Sequence, residues 1–101
     1  MAKIHVPSPL RSCTEGIAEV SVNAVTIREA LDSLIRRYPR LRLQLNDTAG
    51  DMRNFVGIFL NGVDMRMLDG AASRVTENDS IEILLAVAGG QDEDAVRGVI
   101  G

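Results

Sequence analysis

The segment most able to do chemistry is Ala86-Val87-Ala88-Gly89-Gly90, which is followed by the acidic stretch Gln91-Asp92-Glu93-Asp94. A run of small apolar residues typical of a strand ends in two glycines, and the composition then turns polar. An ordinary strand does not need consecutive glycines, because glycine loses much entropy on ordering and packs nothing. A chain that is threaded into another protein's narrow groove does need them. The sequence therefore predicts that the function lies in the main chain at Gly90.

Other residues with reactive or charged side chains have structural explanations. Cys13 has no histidine or second cysteine near it in the sequence, so we interpret it as a loop residue and not as a redox or acyl-accepting thiol. His5 is the only histidine and falls in a predicted strand, which argues against a catalytic or metal role. Four aspartates are better explained as turn residues or solvent-exposed residues than as the ligands of a metal ion. These aspartates are Asp47, Asp51, Asp64 and Asp69.

Four arginines stand close together at the end of the predicted helix. Arg36, Arg37, Arg40 and Arg42 could bind an acidic surface on a partner. A solvated helix face accounts for the same pattern, and we favour that interpretation.

Length and composition indicate one globular domain. The chain has 101 residues, of which 46% are hydrophobic, and its net charge is −3. No apolar run approaches the roughly 20 residues that span a bilayer, and the N-terminus lacks the apolar core of a signal peptide. The acidic balance argues against nucleic acid as a partner. The single cysteine fits a reducing compartment. We therefore expect a cytoplasmic protein that is a monomer when alone and binds neither nucleic acid nor membrane.

Hydrophobic periodicity predicts the elements that position this segment. Alternation predicts strands over residues 3–7 and 17–22, joined as a hairpin by a loop. Thr26 is the predicted N-cap of an amphipathic helix, with Glu29 completing a capping box, and Pro39 ends that helix. Residues 40–53 are mixed and contain turn signals.

The second half of the chain predicts three more strands. The segment 54–60 is the best of them, Asn61-Gly62 predicts a tight hairpin turn, and residues 63–68 form the returning strand. Residues 81–85 form the last strand, which is expected to pair in parallel with the first. This order predicts an α+β domain with the β-grasp arrangement, a mixed sheet of four to five strands with one main helix packed across it.

The predicted strand at 54–60 has two different faces. Phe55 and Phe59 share one face, and the aliphatic residues Val56, Ile58 and Leu60 share the other. We assign the aliphatic face to the core. The two phenylalanines then lie on the open face beside Leu84, where they form a hypothetical surface for docking a partner. The alternative is that loops or residues 40–53 simply cover them.

The chain from Thr26 to Gly90 resembles the ubiquitin-like sulfur carriers of the ThiS/MoaD type. The matching segments are Thr26-Ile27-Arg28-Glu29-Ala30-Leu31, Tyr38-Pro39, the hairpin from Phe55 to Arg66, Asn78-Asp79-Ser80-Ile81-Glu82-Ile83 and Ala86-Val87-Ala88-Gly89-Gly90. Together they cover about two thirds of the chain, in the right order. The hairpin and the Ala-Gly-Gly end are more similar to the molybdopterin-synthase and cysteine-pathway branches than to the thiamin branch.

The resemblance implies a carrier that is not itself an enzyme and binds no cofactor. An adenylyltransferase of the ubiquitin-activating type would use ATP to adenylate Gly90, and a sulfur donor would then displace AMP to leave a thiocarboxylate. That thiocarboxylate would supply sulfur to a biosynthetic enzyme. Ala88 and Gly89 would form the flexible arm that carries Gly90.

This chain departs from active carriers because it continues past Gly90 to Gly101. The resemblance implies a precursor that a JAMM-type metallopeptidase cleaves between Gly90 and Gln91. Residues 1–88 would then be the β-grasp domain, and residues 89–101 the arm and removable tail. Two alternatives remain open at this point. One is a ubiquitin-like modifier that forms isopeptide bonds through Gly90, and the other is a non-covalent β-grasp interaction module.

Overall fold

The computed structural model describes residues 1–86. The predicted arm and tail, including Ala88, Gly89, Gly90 and Gln91, lie outside the described residues. The predicted domain boundary at residue 88 lies outside them as well. In residues 1–86, no helix is long and apolar enough to cross a membrane.

A five-stranded mixed sheet forms one layer of the fold. In chain order its strands are β1 Ala2–His5, β2 Glu19–Val22, β3 Val56–Leu60, β4 Val63–Asp64 and β5 Ser80–Leu85. Across the sheet the order is β2-β1-β5-β3-β4. The pairing of β1 with β5 is parallel, and the other three pairings are antiparallel. The predicted parallel pairing of the first and last strands is confirmed, and β5 occupies the centre of the sheet.

One main helix, α1 (Ile27–Arg37), packs its apolar stripe into the core. The predicted cap is present, because Thr26 Oγ1 accepts a hydrogen bond of 3.2 Å from the Glu29 backbone N–H. Glu29 Oε1 in turn accepts a bond of 3.1 Å from the backbone N–H of Val25. The helix ends at Arg37, two residues before Pro39, as the restriction that proline places on its predecessor predicts. The α+β, β-grasp class predicted from the sequence is thus confirmed.

The hairpin between β3 and β4 turns at Asn61 and Gly62, as predicted. Their φ angles of 51° and 86° are both left-handed, which is the geometry of the two-residue turn that Asn-Gly favours. The Asn61 side chain also ties this turn to the start of β5. Its Nδ2 donates to Asp79 Oδ1 at 2.9 Å, and its Oδ1 accepts from the Ser80 N–H at 2.9 Å.

The predicted returning strand over residues 63–68 is wrong beyond Asp64. The chain turns into a 3-10 helix, Met65–Met67, instead of continuing along β3. The cause is local, because the Asp64 carboxylate accepts from the backbone N–H of Arg66 at 2.9 Å and caps this turn. Short polar side chains that bond nearby backbone groups compete with a strand in this way.

Two predicted loops contain short helices, and two predicted strands begin later than expected. Residues 40–53 include the end of a 3-10 helix, Pro39–Leu41, followed by α2, Arg42–Leu45. Leu41 and Leu45 are fully buried there, so this segment closes one end of the core. The loop after β1 contains a 3-10 helix, Ser8–Thr14. The third strand begins at Val56, not at residue 54, and the second begins at Glu19, not at residue 17.

Candidate functional site

The chain leaves the sheet at the carboxyl end of its central strand. β5 ends at Leu85, and the next residue, Ala86, still donates its backbone N–H to the Phe55 carbonyl at 2.7 Å. The predicted site residues Ala88, Gly89, Gly90 and Gln91 follow and lie outside the described residues. The last described residue, Ala86, thus extends the innermost strand of the sheet, two residues before the predicted arm begins at Ala88.

An apolar groove lies on the outer face of the sheet beside this exit. Phe55, Phe59 and Leu84 line it, together with Ala86, and its volume is about 350 Å³. The Phe55 and Leu84 residues are 42% and 46% exposed, whereas Ile58, on the opposite face of β3, is 1% exposed. Phe59 is half-buried, so of the two phenylalanines only Phe55 is exposed. The structure thus places the aliphatic face of β3 in the core and the three predicted docking residues around one groove.

Three further residues shape this groove, and the sequence reasoning did not assign them to it. Asp64 pairs with Phe59 across the hairpin, so its side chain lies on the same outer face. The Arg66 guanidinium contacts the Asp64 carboxylate, with Nη2 and Oδ2 2.7 Å apart. Gly57 lets the Phe59 ring lie close to β3, since a Cβ at position 57 would be 3.2 Å from Phe59 Cε1. The Asn-Gly turn was the available signal, because it sets the register that pairs Asp64 with Phe59.

The ion pair at the edge of the groove is charged over a wide pH range. Hydrogen bonds from the Arg66 side chain and backbone lower the pKa of Asp64 below its usual value. The Asp64 carboxylate likewise raises the pKa of Arg66. The Arg66 side chain is 79% exposed, so water screens the pair and it contributes little to stability. It does give the apolar groove a polar edge.

The remaining candidate residues are dispersed over the fold. Cys13 is half-buried against the core and unpaired within residues 1–86, and His5 lies on β1 with Nδ1 3.7 Å from Glu19 Oε1. Asp47 accepts hydrogen bonds from the N–H groups of Ala49 and Asp51, which is the predicted turn role. In the part of the chain that the structure describes, no group of three or more His, Cys, Asp or Glu residues could hold a metal ion.

Comparison with known proteins identifies the family. The profile of the ThiS family matches residues 4–90, so the match ends at Gly90. The chain belongs to the ThiS family. The sulfur carrier protein CysO of Mycobacterium tuberculosis is 34% identical over 89 residues, which cover 86% of this chain and 96% of that protein. The family resemblance inferred from the sequence is therefore confirmed.

Solved structures of ThiS-family relatives share the fold. The chain in the BexX/CysO complex of Amycolatopsis orientalis superposes with a TM-score of 0.80 at 28% identity, covering 89% of this chain and all of that one. The small archaeal modifier protein 1 of Methanosarcina acetivorans superposes with a TM-score of 0.79 at 25% identity, covering 88% of this chain and 95% of that one. This ThiS-family chain is thus a ubiquitin-like protein whose named relatives are sulfur carriers and a modifier.

Proposed function

We propose that this protein carries sulfur as a thiocarboxylate on Gly90. The observation that carries the proposal is the family match, which runs from the first strand to Gly90 and stops there. The fold supports it, because the central strand carries the chain to one end of the sheet, beside an open groove. The residues beyond Gly90 would first be removed by a JAMM-type metallopeptidase.

The chemistry proceeds in two steps that the carrier does not catalyse. A free carboxylate is a poor electrophile, so a ubiquitin-activating-type adenylyltransferase joins the Gly90 carboxylate to the AMP portion of ATP and releases pyrophosphate. Hydrosulfide, or a sulfur donor equivalent to it, then attacks the acyl carbon. The C–O bond to AMP breaks, AMP leaves, and the carboxyl group keeps one oxygen and gains one sulfur. Glycine at positions 89 and 90 leaves the acyl carbon free of side chains.

The groove lined by Phe55, Phe59 and Leu84 is the surface we propose for docking the partners. It adjoins Ala86, which stands four residues before Gly90 in the sequence. The CysO of Amycolatopsis orientalis was solved in a complex with BexX, which supports a protein partner for this chain as well. The partners would be the adenylyltransferase and a biosynthetic enzyme that accepts the sulfur, in the cytoplasm where ATP is available.

The intact mass of the protein isolated from its native host tests the proposal. We expect a chain ending at Gly90 in which one oxygen is replaced by sulfur, and a thiol-alkylating reagent should add once more to it than to the carboxylate form. A Gly90→Asp variant, expressed in the same host, is the control and should carry no sulfur. A full-length, unmodified chain would refute both the processing and the carrier function.

A second candidate is a protein modifier that uses the same activated Gly90. The resemblance to the small archaeal modifier protein 1 favours this reading. The attacking group would then be a lysine amine of a target, which forms an isopeptide bond as AMP leaves. Lysine conjugates of Gly90 in a digest of the host proteome, in the absence of a thiocarboxylate, would select the modifier over the carrier.

A further inference from the structure

We propose that the end of the sheet from which the chain leaves is an arginine-rich docking surface for an acidic surface of the partner that engages Gly90. The inference rests on the proposed function for the identity of that partner. It concerns a region separate from the apolar groove, formed by three segments that are distant in the sequence.

The topology brings these segments to one end. Because β1 and β5 are parallel, their carboxyl ends share the end of the sheet at which the chain leaves. β3 is antiparallel to β5 and therefore begins at this end, with Arg53 just before it. The 3-10 helix Ser8–Thr14 follows β1 and contacts the 3-10 helix Pro39–Leu41, which follows α1.

This end has an excess of positive charge in a chain whose net charge is −3. Six arginines from the three segments belong to it, against the acidic residues Glu15, Glu19, Asp47 and Asp51. Among residues 1–86, the salt bridges involve only Lys3, His5, Glu19, Asp64 and Arg66, so none of the six is neutralised by a close carboxylate there. The six are Arg11, Arg36, Arg37, Arg40, Arg42 and Arg53.

The opposite end has the reverse balance. The start of α1, the turns before β5 and the start of β5 carry four acidic and two basic residues, and the turn at Asn61 closes this end of the sheet. The acidic residues are Glu29, Asp69, Glu77 and Asp79, and the basic ones are Arg28 and Arg74. The charge is thus separated along the strand direction, with the positive end at the exit of the chain.

Backbone carbonyls hold three of these arginines in place. Arginines that only solvate a helix face would not need such hydrogen bonds. Arg11 Nε donates to the Val6 carbonyl at 3.1 Å, and Arg40 Nη1 donates to the Ser12 carbonyl at 3.4 Å. Arg53 Nε donates to the Leu43 carbonyl at 2.8 Å. Each guanidinium has five N–H donors, so each keeps several for a ligand. We call Arg11, Arg40 and Arg53 the anchored arginines.

Anchoring favours binding, because the conformational entropy of each of these long side chains is already reduced before a partner arrives. The planar guanidinium matches a carboxylate with two parallel hydrogen bonds. A protein surface is favoured over nucleic acid, since the rest of this acidic chain would repel a long polyanion. Aspartates and glutamates on the partner are therefore the expected ligands.

Titration of the full-length chain with a hexaglutamate peptide tests the surface directly. At low salt, we expect the side-chain Nε–H resonances of the anchored arginines to shift, while those of Arg28 and Arg74 at the opposite end stay unchanged. The titration is repeated with a chain ending at Gly90, which retains every contact described here because all elements lie between Ala2 and Leu85. Binding only by the shorter chain supports the surface and identifies the tail's own acidic residues as a competitor. No shift in either chain, or equal shifts at both ends, would overturn the inference.

Activation kinetics connect the surface to the partner. With the host adenylyltransferase, the variant R11Q/R40Q/R53Q of the chain ending at Gly90 should have a KM raised about tenfold at low salt, with an unchanged kcat. The difference should largely disappear at about 0.5 M salt, where charges are screened within a few ångströms. The control R28Q/R74Q removes positive charge from the opposite end and should behave like wild type.

The outcomes separate this inference from the proposed function. If wild type is adenylated and R11Q/R40Q/R53Q has the same KM as the R28Q/R74Q control, the docking surface is refuted and the carrier function stands. If wild type is not adenylated, the proposed function fails, and the hexaglutamate titration still decides whether the arginine-rich end binds carboxylates. Far-UV circular dichroism of each variant establishes that it is folded.

Discussion

Replacing Asn61 with alanine should destabilise the fold by about 2 kcal/mol. Asn61 has a left-handed φ of 51°, and alanine there costs about 1 kcal/mol more than a residue that tolerates this region. The substitution also removes the bonds to Asp79 Oδ1 and to the Ser80 N–H. Because both bonds are exposed, we take about 0.5 kcal/mol for each, at the low end for hydrogen bonds.

Two other substitutions at position 61 separate these contributions. Asn61→Gly keeps the left-handed backbone and loses only the side-chain bonds, so we expect a loss of about 1 kcal/mol. Asn61→Asp keeps an acceptor for the Ser80 N–H but places a second carboxylate against Asp79. The free energy of unfolding that this variant loses relative to wild type should decrease as the pH falls below about 4, where carboxylates become protonated.

The assay is urea unfolding followed by far-UV circular dichroism at neutral pH, since the chain has no tryptophan to report by fluorescence. If the alanine and glycine variants lose the same free energy of unfolding, the left-handed backbone at position 61 contributes nothing to the cost of the alanine substitution. A glycine variant as stable as wild type would show that the link between the hairpin and β5 is not stabilising. Either result would refute the reasoning.

Three further outcomes are expected from the same unfolding assay. Thr26→Ala should cost about 1 kcal/mol by removing the helix cap, and Thr26→Ser should recover most of that loss. Leu34→Ala should cost about 2–5 kcal/mol because Leu34 is fully buried, whereas the exposed Leu43→Ala should change stability little. Hydrogen bonds from Asn61 and from the Thr76 backbone lower the pKa of Asp79 in the folded protein. The ionised Asp79 therefore adds to the free energy of unfolding above its unfolded pKa of about 3.8, and this stabilisation is lost as the pH falls through its folded pKa. Asp79→Asn should therefore be less stable than wild type at neutral pH, and the difference in the free energy of unfolding between the two proteins should decrease in acid.

The sequence was most informative where a local pattern coincides with a tertiary contact. The helix could be predicted from Thr26 to Tyr38 because its cap, its apolar spacing and Pro39 all act within a few residues. The hairpin turn could be predicted because Asn61 and Gly62 tolerate left-handed backbone. The parallel neighbours β1 and β5 followed from their short apolar runs and from the family resemblance.

What could not be predicted depends on contacts between distant segments. Leu41 in the 3-10 helix and Leu45 in α2 close one end of the core, but the sequence around them has no helical period long enough to detect. The strand after Asn61-Gly62 has an alternating pattern, yet the bond from Arg66 to Asp64 turns it aside after two residues. The anchored arginines donate to carbonyls on other turns and loops of the backbone, and nothing in their spacing reveals those acceptors.

The central position of β5 determines how the fold responds to a pull on its carboxyl end. β5 is hydrogen-bonded to β1 on one side and to β3 on the other. Force applied there loads both ladders in shear, so many hydrogen bonds must break together. An edge strand peeled from its end would lose them one at a time. A pull on the carboxyl end of β5 would therefore have to break both ladders together before the domain unfolds.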